Sequence, residues 1–305
     1  MQDLREPQEI LVFGEVLFDV FSDHETVLGG APFNVAWHLQ GFGVNPLFVS
    51  RVGQDPRGKE VRAAMARWGM RTDGLQEDPA HPTGMVTVTT RNGQPEYQIL
   101  PEQAYDYIDY SEIENIPTTA GPHILYHGTL ALRGPSHAAL KQLKKVGHKQ
   151  TFLDVNLRTP WWRPKIVQEA VMSAEVVKCN QDEFQQITAP GGGGILDAAT
   201  DFVRKYALKM LVITKGQSGA LLIRPNQPVL QAASPRVTDL VDTVGAGDAF
   251  STILLLAQVH GWSPRFALTC AVEFAASACE WRGATIKDDT LYKDLLKRWV
   301  TDAGN

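Results

Sequence analysis

The chain has 305 residues, of which 44% are hydrophobic and 21% are charged, and its formal net charge is -5. This is the composition of a globular protein with a large core, and the absence of a basic tract argues against nucleic-acid binding. No apolar run approaches the length of a membrane span, and the first residues lack the pattern of a signal peptide. Its three cysteines form no C-x-x-C pair, which predicts reduced thiols in a cytoplasmic protein.

Short apolar runs alternate with helical stretches over the first two thirds of the chain. The predicted strands are 10–13, 47–52, 124–127, 151–155, 176–179 and 210–214. The predicted helices are 32–40, 57–68, 136–146, 164–172, 181–187 and 195–206. Buried strands that alternate with helices predict an α/β fold with a mostly parallel sheet and helices on both faces. We expect all 305 residues to form a single domain.

Two segments depart from this alternation. Residues 84–90 and 96–100 alternate polar and apolar side chains around an Asn-Gly pair, which predicts a half-exposed β-hairpin. Because a lone hairpin is marginally stable, we expect it to cover the substrate, a partner subunit or both. Near the C-terminus, 221–223 and 229–232 predict a second hairpin. The long helices 247–260, 264–280 and 289–301 are expected to follow it.

The nine residues 242–250 read DTVGAGDAF and run into an apolar segment, which predicts a loop entering a helix. A helix N-terminus presents unpaired N–H groups and the positive end of a dipole, so it binds anions. We expect the amides of Gly245, Ala246 and Gly247 to hold a phosphoryl group. Asp248, in the first turn, would then take the proton from a hydroxyl that attacks it.

This string resembles the C-terminal signature of the ribokinase-like (PfkB) carbohydrate kinases, and the resemblance extends from about residue 14 to residue 283. It implies a ribokinase-like fold and transfer of the γ-phosphoryl group of ATP to a sugar hydroxyl, with Mg²⁺ on the phosphates. In that family a small β-sheet lid closes over the sugar. Here the lid would comprise residues 14–26 and 84–107. Because its edges are exposed, the lid also suggests a homodimer.

The N-terminal glycine motif, LGGAPFNVA at 28–36, precedes a predicted helix. Taken alone it fits a tight turn. It is also similar to the first signature of the family, which implies that Gly29, Gly30 and Asn34 contact the sugar. Asp19 matches the family's sugar-binding aspartate, and its alternative is a turn-forming aspartate.

A third motif, D-x-N-x-R at 154–158, follows a predicted strand at the edge where open α/β sheets bind ligands. It is either a loop anchored by its tryptophans, with Arg158 in solvent, or a site that places Asn156 and Arg158 near sugar or phosphate oxygens. The motif and its following Trp resemble the fructokinase and 2-keto-3-deoxygluconate kinase branches of the family. Together with the lid segment around Tyr97, a further expected sugar contact, they favour D-fructose. The alternatives are 2-keto-3-deoxygluconate kinase and, in another class, a catalytically idle sensor.

The nucleotide and metal positions come from the same resemblance. Asn180 and Glu183 match an N-x-x-E motif that handles Mg²⁺ and phosphate, and they also fit an N-capped helix. A role for Glu183 through water suits Mg²⁺, which keeps several waters. The remaining nucleotide contacts implied are Thr214, Gly216, Gly219, Gly247 and, in a helix rich in small residues, Ala278. Asp242 and the turn at 283–284 match a family site for a monovalent cation such as K⁺.

Overall fold

The computed structural model describes residues 9–21, 25–91, 94–114, 116, 123–145, 150–188 and 194–303, with only the backbone for 90, 91, 94–97 and 303. Its strands are β1 (Ile10–Phe13), β2 (Leu17–Phe21), β3 (Thr26–Gly29), β4 (Leu47–Gly53), β5 (Leu75–Asp78), β6 (Gly84–Arg91), β7 (Gln94–Ile99), β8 (Ile124–His127), β9 (Gln150–Asp154), β10 (Val176–Asn180), β11 (Met210–Thr214), β12 (Ala220–Ile223) and β13 (Leu230–Ala232). Its helices are α1 (Ala31–Gly41), α2 (Pro56–Arg67), α3 (Ser136–Leu143), α4 (Pro164–Met172), α5 (Gln181–Ile187), α6 (Ile195–Lys205), α7 (Ala246–His260), α8 (Pro264–Ala278) and α9 (Asp289–Ala303).

Nine strands form one central sheet in the order β13-β12-β11-β10-β9-β8-β1-β4-β5. The strands from β11 to β5 in this order pair in parallel, and β12 and β13 add an antiparallel hairpin at one edge. The α/β fold, its mostly parallel sheet and the C-terminal hairpin are therefore confirmed. β5 was missed, because its sequence LQED carries none of the apolar signal of a buried strand.

Both faces of this sheet are covered by helices, as predicted. In β1, Ile10 and Val12 belong to one hydrophobic core, and Leu11 and Phe13 belong to the other. Successive side chains of a strand point to opposite faces, so a strand buried on both sides lacks the regular alternation of polar and apolar residues. The first core includes residues of α1, α7, α8 and α9, and the second includes residues of α3, α4, α5 and α6.

A separate four-stranded sheet, β3-β2-β6-β7, contains the predicted inserted hairpin. β6 and β7 pair antiparallel, and β2 joins β6 in parallel and β3 antiparallel. The strands span 17–29 and 84–99, so the bounds differ from the expected 14–26 and 84–107. Residues Ala104–Tyr107 instead form a 3₁₀ turn, and Tyr105 is fully buried in the second core. The Asn92-Gly93 turn lies outside the described residues.

The topology brings the carboxyl ends of parallel strands to a common edge. Glu15, Asp154, Asn180 and Thr214 end or follow β1, β9, β10 and β11, and all four line one cavity. This is the edge at which open α/β sheets bind ligands. No helix in the described ranges combines the length and the apolar character that a membrane span requires.

Candidate active site

The cavity at this edge has a volume of about 560 Å³. Its walls come from the strand ends, from the small sheet and from the first turns of α1 and α7. It gathers sequence-predicted residues from six separate motifs, namely Asp19, Gly29, Gly30, Asn34, Asn156, Arg158, Asn180, Glu183, Thr214, Gly216, Gly245, Gly247 and Asp248. Tyr97 belongs to β7, but its side chain lies outside the described residues.

The N-terminal turn of α7 is shaped by Gly245, whose φ of +82° lies in the left-handed region. Its carbonyl accepts the N–H groups of Asp248 (3.0 Å) and Ala249 (2.8 Å), and the Ala246 N–H donates to the Thr243 carbonyl at 3.3 Å. Within the described part of the chain, the Gly247 N–H has no acceptor. A free N–H at the positive end of a 15-residue helix is the arrangement that binds a phosphoryl group.

Asp248 is held by a residue of the other glycine motif. Asn34, in the first turn of α1, donates from Nδ2 to Asp248 Oδ2 at 2.8 Å, across 214 residues of sequence. Burial raises the pKa of Asp248 to about 6, while the Asn34 hydrogen bond and the charges of Lys178 and Arg158 lower it. At neutral pH the carboxylate is therefore ionised, with a proton affinity well above that of an exposed aspartate, which suits a general base.

Asp154, Glu183 and two further acids, Asp19 and Glu15, line the same cavity, and of the last two only Asp19 was expected from the sequence. Asp19, on β2, has its pKa raised to about 6 by burial. Glu15 is 3% exposed, and burial raises its pKa to about 7. Its Oε2 has no hydrogen-bond partner in the described structure. An acidic residue directly after a buried first strand was the available signal for Glu15.

The glycine pair before α1 lets two parts of the cavity wall lie close together. Gly30 has a φ of +110°, and a Cβ placed there would lie 2.7 Å from the Glu15 carbonyl oxygen. A Cβ at Gly29 would lie 3.6 Å from Asn34 Oδ1 and 4.0 Å from Asp19 Oδ2. Gly30 therefore permits a close backbone approach that no side chain allows.

Arg158 is exposed at this cavity, and its guanidinium donates to the neighbouring Leu157 carbonyl at 3.3 Å. Its charge lowers the pKa values of Glu15, Asp19 and Asp248, which line the same cavity. The loop is also anchored by Trp161, whose Nε1 donates to the Ile99 carbonyl at 3.1 Å. The two interpretations of this motif are therefore compatible.

A buried ion pair in the cavity wall was missed. Lys178 Nζ donates to Asp154 Oδ1 at 3.1 Å and Oδ2 at 2.9 Å, and the two residues are partners in the parallel register of β9 and β10. Ser251 Oγ donates to Asp154 Oδ2 at 2.7 Å. The signal in the sequence was a lysine within the otherwise apolar run VVKC, because a lysine is rarely buried without a partner.

A second cavity, of about 640 Å³, adjoins the first. Thr214, Gly216, Thr243 and Gly247 line both cavities, so the two meet at the N-terminus of α7. Gly219 and Phe250 line the second cavity. Ala278 does not line it: that residue is 6% exposed and packs in the first hydrophobic core. The residues of α8 that face the cavity are instead Val272, Ala275 and Ala276, because Ala278 lies on another face of the helix.

Asn180 and Glu183 form the capping box that the sequence predicts. Asn180 Oδ1 accepts the Glu183 N–H at 2.8 Å, and Glu183 Oε2 accepts the Asn180 N–H at 2.9 Å. Glu183 Oε1 accepts the Leu157 N–H at 2.9 Å, which ties α5 to the loop of Arg158. Within the ranges described above, no group of three or more His, Cys, Asp or Glu side chains could hold a metal. Because the described residues offer no such group, a Mg²⁺ ion here would need oxygen ligands from outside the protein, such as water and phosphate.

Asp242 joins the loop before α7 to the turn after α8. Its Oδ1 accepts the Val244 N–H at 3.0 Å, and its Oδ2 accepts the Gly283 N–H at 3.1 Å. The same turn contacts the loop at 242–245 that precedes α7, because a Cβ placed on Gly245 would overlap Ala284. The segment predicted to hold a monovalent cation therefore also fixes the position of Gly245.

Comparisons with known proteins establish the family and the fold. The family model described as pfkB family carbohydrate kinase matches residues 1–291. A fructokinase of Klebsiella pneumoniae is 28% identical, over 95% of this chain and 98% of that protein. The crystal structure of a Vibrio cholerae O395 fructokinase double mutant, bound to fructose, ADP and potassium ion, superposes with a TM-score of 0.79 at 26% identity, covering 95% of this chain and 98% of that chain.

A sugar kinase of Pyrococcus horikoshii in complex with ATP superposes with a TM-score of 0.74 at 26% identity, covering 90% of this chain and 94% of that chain. The chain therefore belongs to the pfkB family and is an ATP-dependent carbohydrate kinase. The fold class predicted from the sequence, with its small second sheet, is confirmed.

Proposed function

We propose that this kinase is a fructokinase, which transfers the γ-phosphoryl group of ATP to a hydroxyl of D-fructose in the cavity between α1 and α7. The observation that carries the proposal is the 2.8 Å hydrogen bond from Asn34 to Asp248. It joins the glycine turn expected to bind the sugar to the glycine turn expected to bind the phosphoryl group. The sugar hydroxyl and the γ-phosphoryl group would then both lie beside the Asp248 carboxylate.

In this proposal Asp248 accepts the hydroxyl proton as the sugar oxygen attacks phosphorus. The N–H of Gly247 and the dipole of α7 take up negative charge on the phosphoryl oxygens. Gly245 shapes the turn and offers its own N–H, whereas the Ala246 N–H is shared with the Thr243 carbonyl. The separate four-stranded sheet covers the sugar and excludes water, which would otherwise accept the phosphoryl group.

A neutral sugar fits this cavity better than an acid sugar. Among the described residues, five acids line this cavity. Asp154 is paired with Lys178, and Glu183 accepts two backbone N–H groups. Glu15, Asp19 and Asp248 remain, and the charge of the exposed Arg158 lowers the pKa of each. A substrate carboxylate would meet this excess of acidic groups, whereas sugar hydroxyls can donate to them. Asp19, Asn34, the Gly29-Gly30 backbone, Asn156 and Tyr97 are the proposed sugar contacts, with Arg158 near the phosphoryl group.

The second cavity is the proposed nucleotide site, with Thr214, Gly216 and Gly219 along the nucleotide and Asn180 near its phosphates. The adenine slot moves from Ala278 to the neighbouring Ala275 and Ala276, which face the cavity. In this proposal Mg²⁺ enters bound to the ATP phosphates, and Glu183 contacts the ion through one of its water ligands.

Asp242 and the 283–284 turn are proposed to hold K⁺, the ion named in the Vibrio cholerae structure. A homodimer through the exposed edges of β3 and β7 stays part of the proposal. So does a cytoplasmic location, which the three free cysteines support.

An ADP-release assay tests the substrate, using Mg-ATP and a panel of fructose, ribose, 2-keto-3-deoxygluconate, glucose, tagatose and adenosine. We expect fructose to give the highest kcat/KM, with ATP turnover in the absence of sugar as the control. A higher value for 2-keto-3-deoxygluconate would contradict the proposal and give Arg158 a carboxylate to bind. Ligand-induced thermal shifts without turnover of any sugar would instead favour the sensor.

A further inference from the structure

The Lys178–Asp154 pair lies where an ion pair is costly, since the two side chains are 8% and 1% exposed. Removing two charges from water costs several kcal/mol, and an apolar pair of the same size is often as stable. The pair nevertheless lines the reaction cavity, next to Asp248 and the first turn of α7. Stability alone therefore gives no reason for charge at this position.

The ammonium group of Lys178 has one N–H donor without an acceptor among the described residues. Of its three N–H donors, two are directed to the two oxygens of Asp154, and no other acceptor takes the third among the described residues. Nζ lies 3.0 Å from the point where a Cβ on Gly247 would be. The spare donor is thus beside the Gly247 N–H, which also has no acceptor in the described structure.

Asp154 holds this ammonium at a fixed place relative to α7. Its Oδ2 accepts from Ser251 Oγ at 2.7 Å and from Tyr126 Oη at 3.3 Å. Ser251 is on α7 itself, one helical turn after Gly247. Although burial favours the neutral amine, the charge and hydrogen bonds of Asp154 prevail and raise the pKa of Lys178, so the ammonium stays protonated.

We propose that Lys178 is a further catalytic residue, whose third N–H binds the phosphoryl group during its transfer beside Gly247. Asp154 is its positioning residue, and Ser251 fixes Asp154. The inference rests on the proposed function, in which the phosphoryl group passes over the first turn of α7.

In the step itself, the bond from the γ-phosphorus to the bridging oxygen of ATP breaks, and its electron pair leaves on ADP. A sugar oxygen forms the new bond to phosphorus and loses its proton to Asp248. Lys178 keeps its three protons throughout and stabilises charge on the phosphoryl oxygens, which is largest in the transition state.

The variant that tests this is Lys178→Met combined with Asp154→Asn, because it leaves no unpaired buried charge and Asn can still accept from Ser251. Lys141→Met is the matched control: Lys141 is exposed and pairs with Glu169 on the surface at 3.0 Å. Three quantities are measured, namely kcat, the affinity for ADP alone, and the affinity for ADP with aluminium fluoride and sugar, which mimics the transition state. The thermal midpoint reports folding.

We expect the double variant to lose about 10²–10³-fold in kcat, as removal of an oxyanion donor does, with ADP affinity unchanged. Affinity for the transition-state mimic should fall by a similar factor, while the Lys141→Met control matches wild type in all three quantities. A kcat within about threefold of wild type would overturn the inference. So would equal losses of affinity for ADP and for the mimic, which is the result of a purely structural role.

Failure of the proposed function gives a different result. If Asp248→Asn kept full turnover, the transfer site itself would be wrong, whatever the Lys178 variant does. If Asp248→Asn loses turnover and the Lys178 variant does not, only the role of Lys178 is overturned.

Discussion

Replacement of Asp248 by Asn is expected to lower kcat by about 10²–10⁴-fold, while ATP and sugar still bind. An amide cannot accept the hydroxyl proton, although it keeps the size and a hydrogen-bonding group beside Asn34. The measurement is steady-state turnover of wild type and variant, with KM determined for both substrates. In wild type, kcat/KM should fall below pH 6, where Asp248 becomes protonated, and this acidic limb should be absent from the residual activity of the variant.

Unfolding cannot produce this loss, because the same variant is expected to be more stable. Folding raises the pKa of Asp248 from 3.8 to about 6, so ionisation opposes folding, and stability contributed by this group falls as pH rises from 4 to 6. Asp248→Asn removes that penalty at neutral pH and should raise the thermal midpoint. Asp201→Asn is the matched control, because Asp201 is an exposed residue of α6 that pairs with Arg204 at 3.3 Å, and it should leave kcat unchanged. Full turnover in Asp248→Asn would contradict the base assignment.

The other large effect is expected from Gly245→Ala, which should lower kcat by about 10²–10³-fold through displacement of the N–H groups of the α7 turn. The new Cβ would overlap Ala284, and the φ of +82° is one that alanine rarely adopts. We expect the free energy of unfolding to fall as well, by about 1–3 kcal/mol. Turnover and denaturant unfolding measure the two effects.

Gly43→Ala is the matched control, since Gly43 has a φ of +80° and no atom within 4 Å of its Cβ position. It carries the conformational cost without the overlap, so it should lose stability and keep kcat. Adding Ala284→Gly to Gly245→Ala removes the closest contact, with the Ala284 Cβ, and leaves the Ala284 Cα at 2.9 Å, so it should restore part of the turnover. Equal kcat in Gly245→Ala and Gly43→Ala would mean that the geometry of this turn does not matter for catalysis.

The sequence was sufficient for the elements whose local pattern is strong. The strands of the central sheet, except β5, and α1 to α9 follow from apolar runs, caps and proline positions, such as Pro264 at the start of α8. β2 and β3 carry no strong pattern of their own. Resemblance placed 14–26 in the lid, but it is pairing with β3 and β6 that makes Leu17–Phe21 a strand. Tertiary pairing decides such segments, because their propensity is weak.

In the site, the sequence identified the residues that belong to recognisable motifs and missed those that act through burial. Glu15 and Lys178 are separated from the glycine motifs in sequence, and their importance comes from exclusion of water and from neighbours brought in by the fold. Ala278 is a motif residue that lies outside the site. Its helix, α8, does line the second cavity, but Ala278 is on the side of the helix that packs in the first hydrophobic core. Helix phase and burial are fixed by packing, which a motif does not contain.

The most direct test of the account is the structure of this protein with fructose and a non-hydrolysable ATP analogue bound together. We predict that one fructose hydroxyl lies about 2.6–3.2 Å from the Asp248 carboxylate and in line with the γ-phosphorus. The γ-phosphate should accept from the Gly247 N–H. A fructose molecule whose hydroxyl nearest the γ-phosphorus contacts another residue, with Asp248 out of reach, would contradict the account.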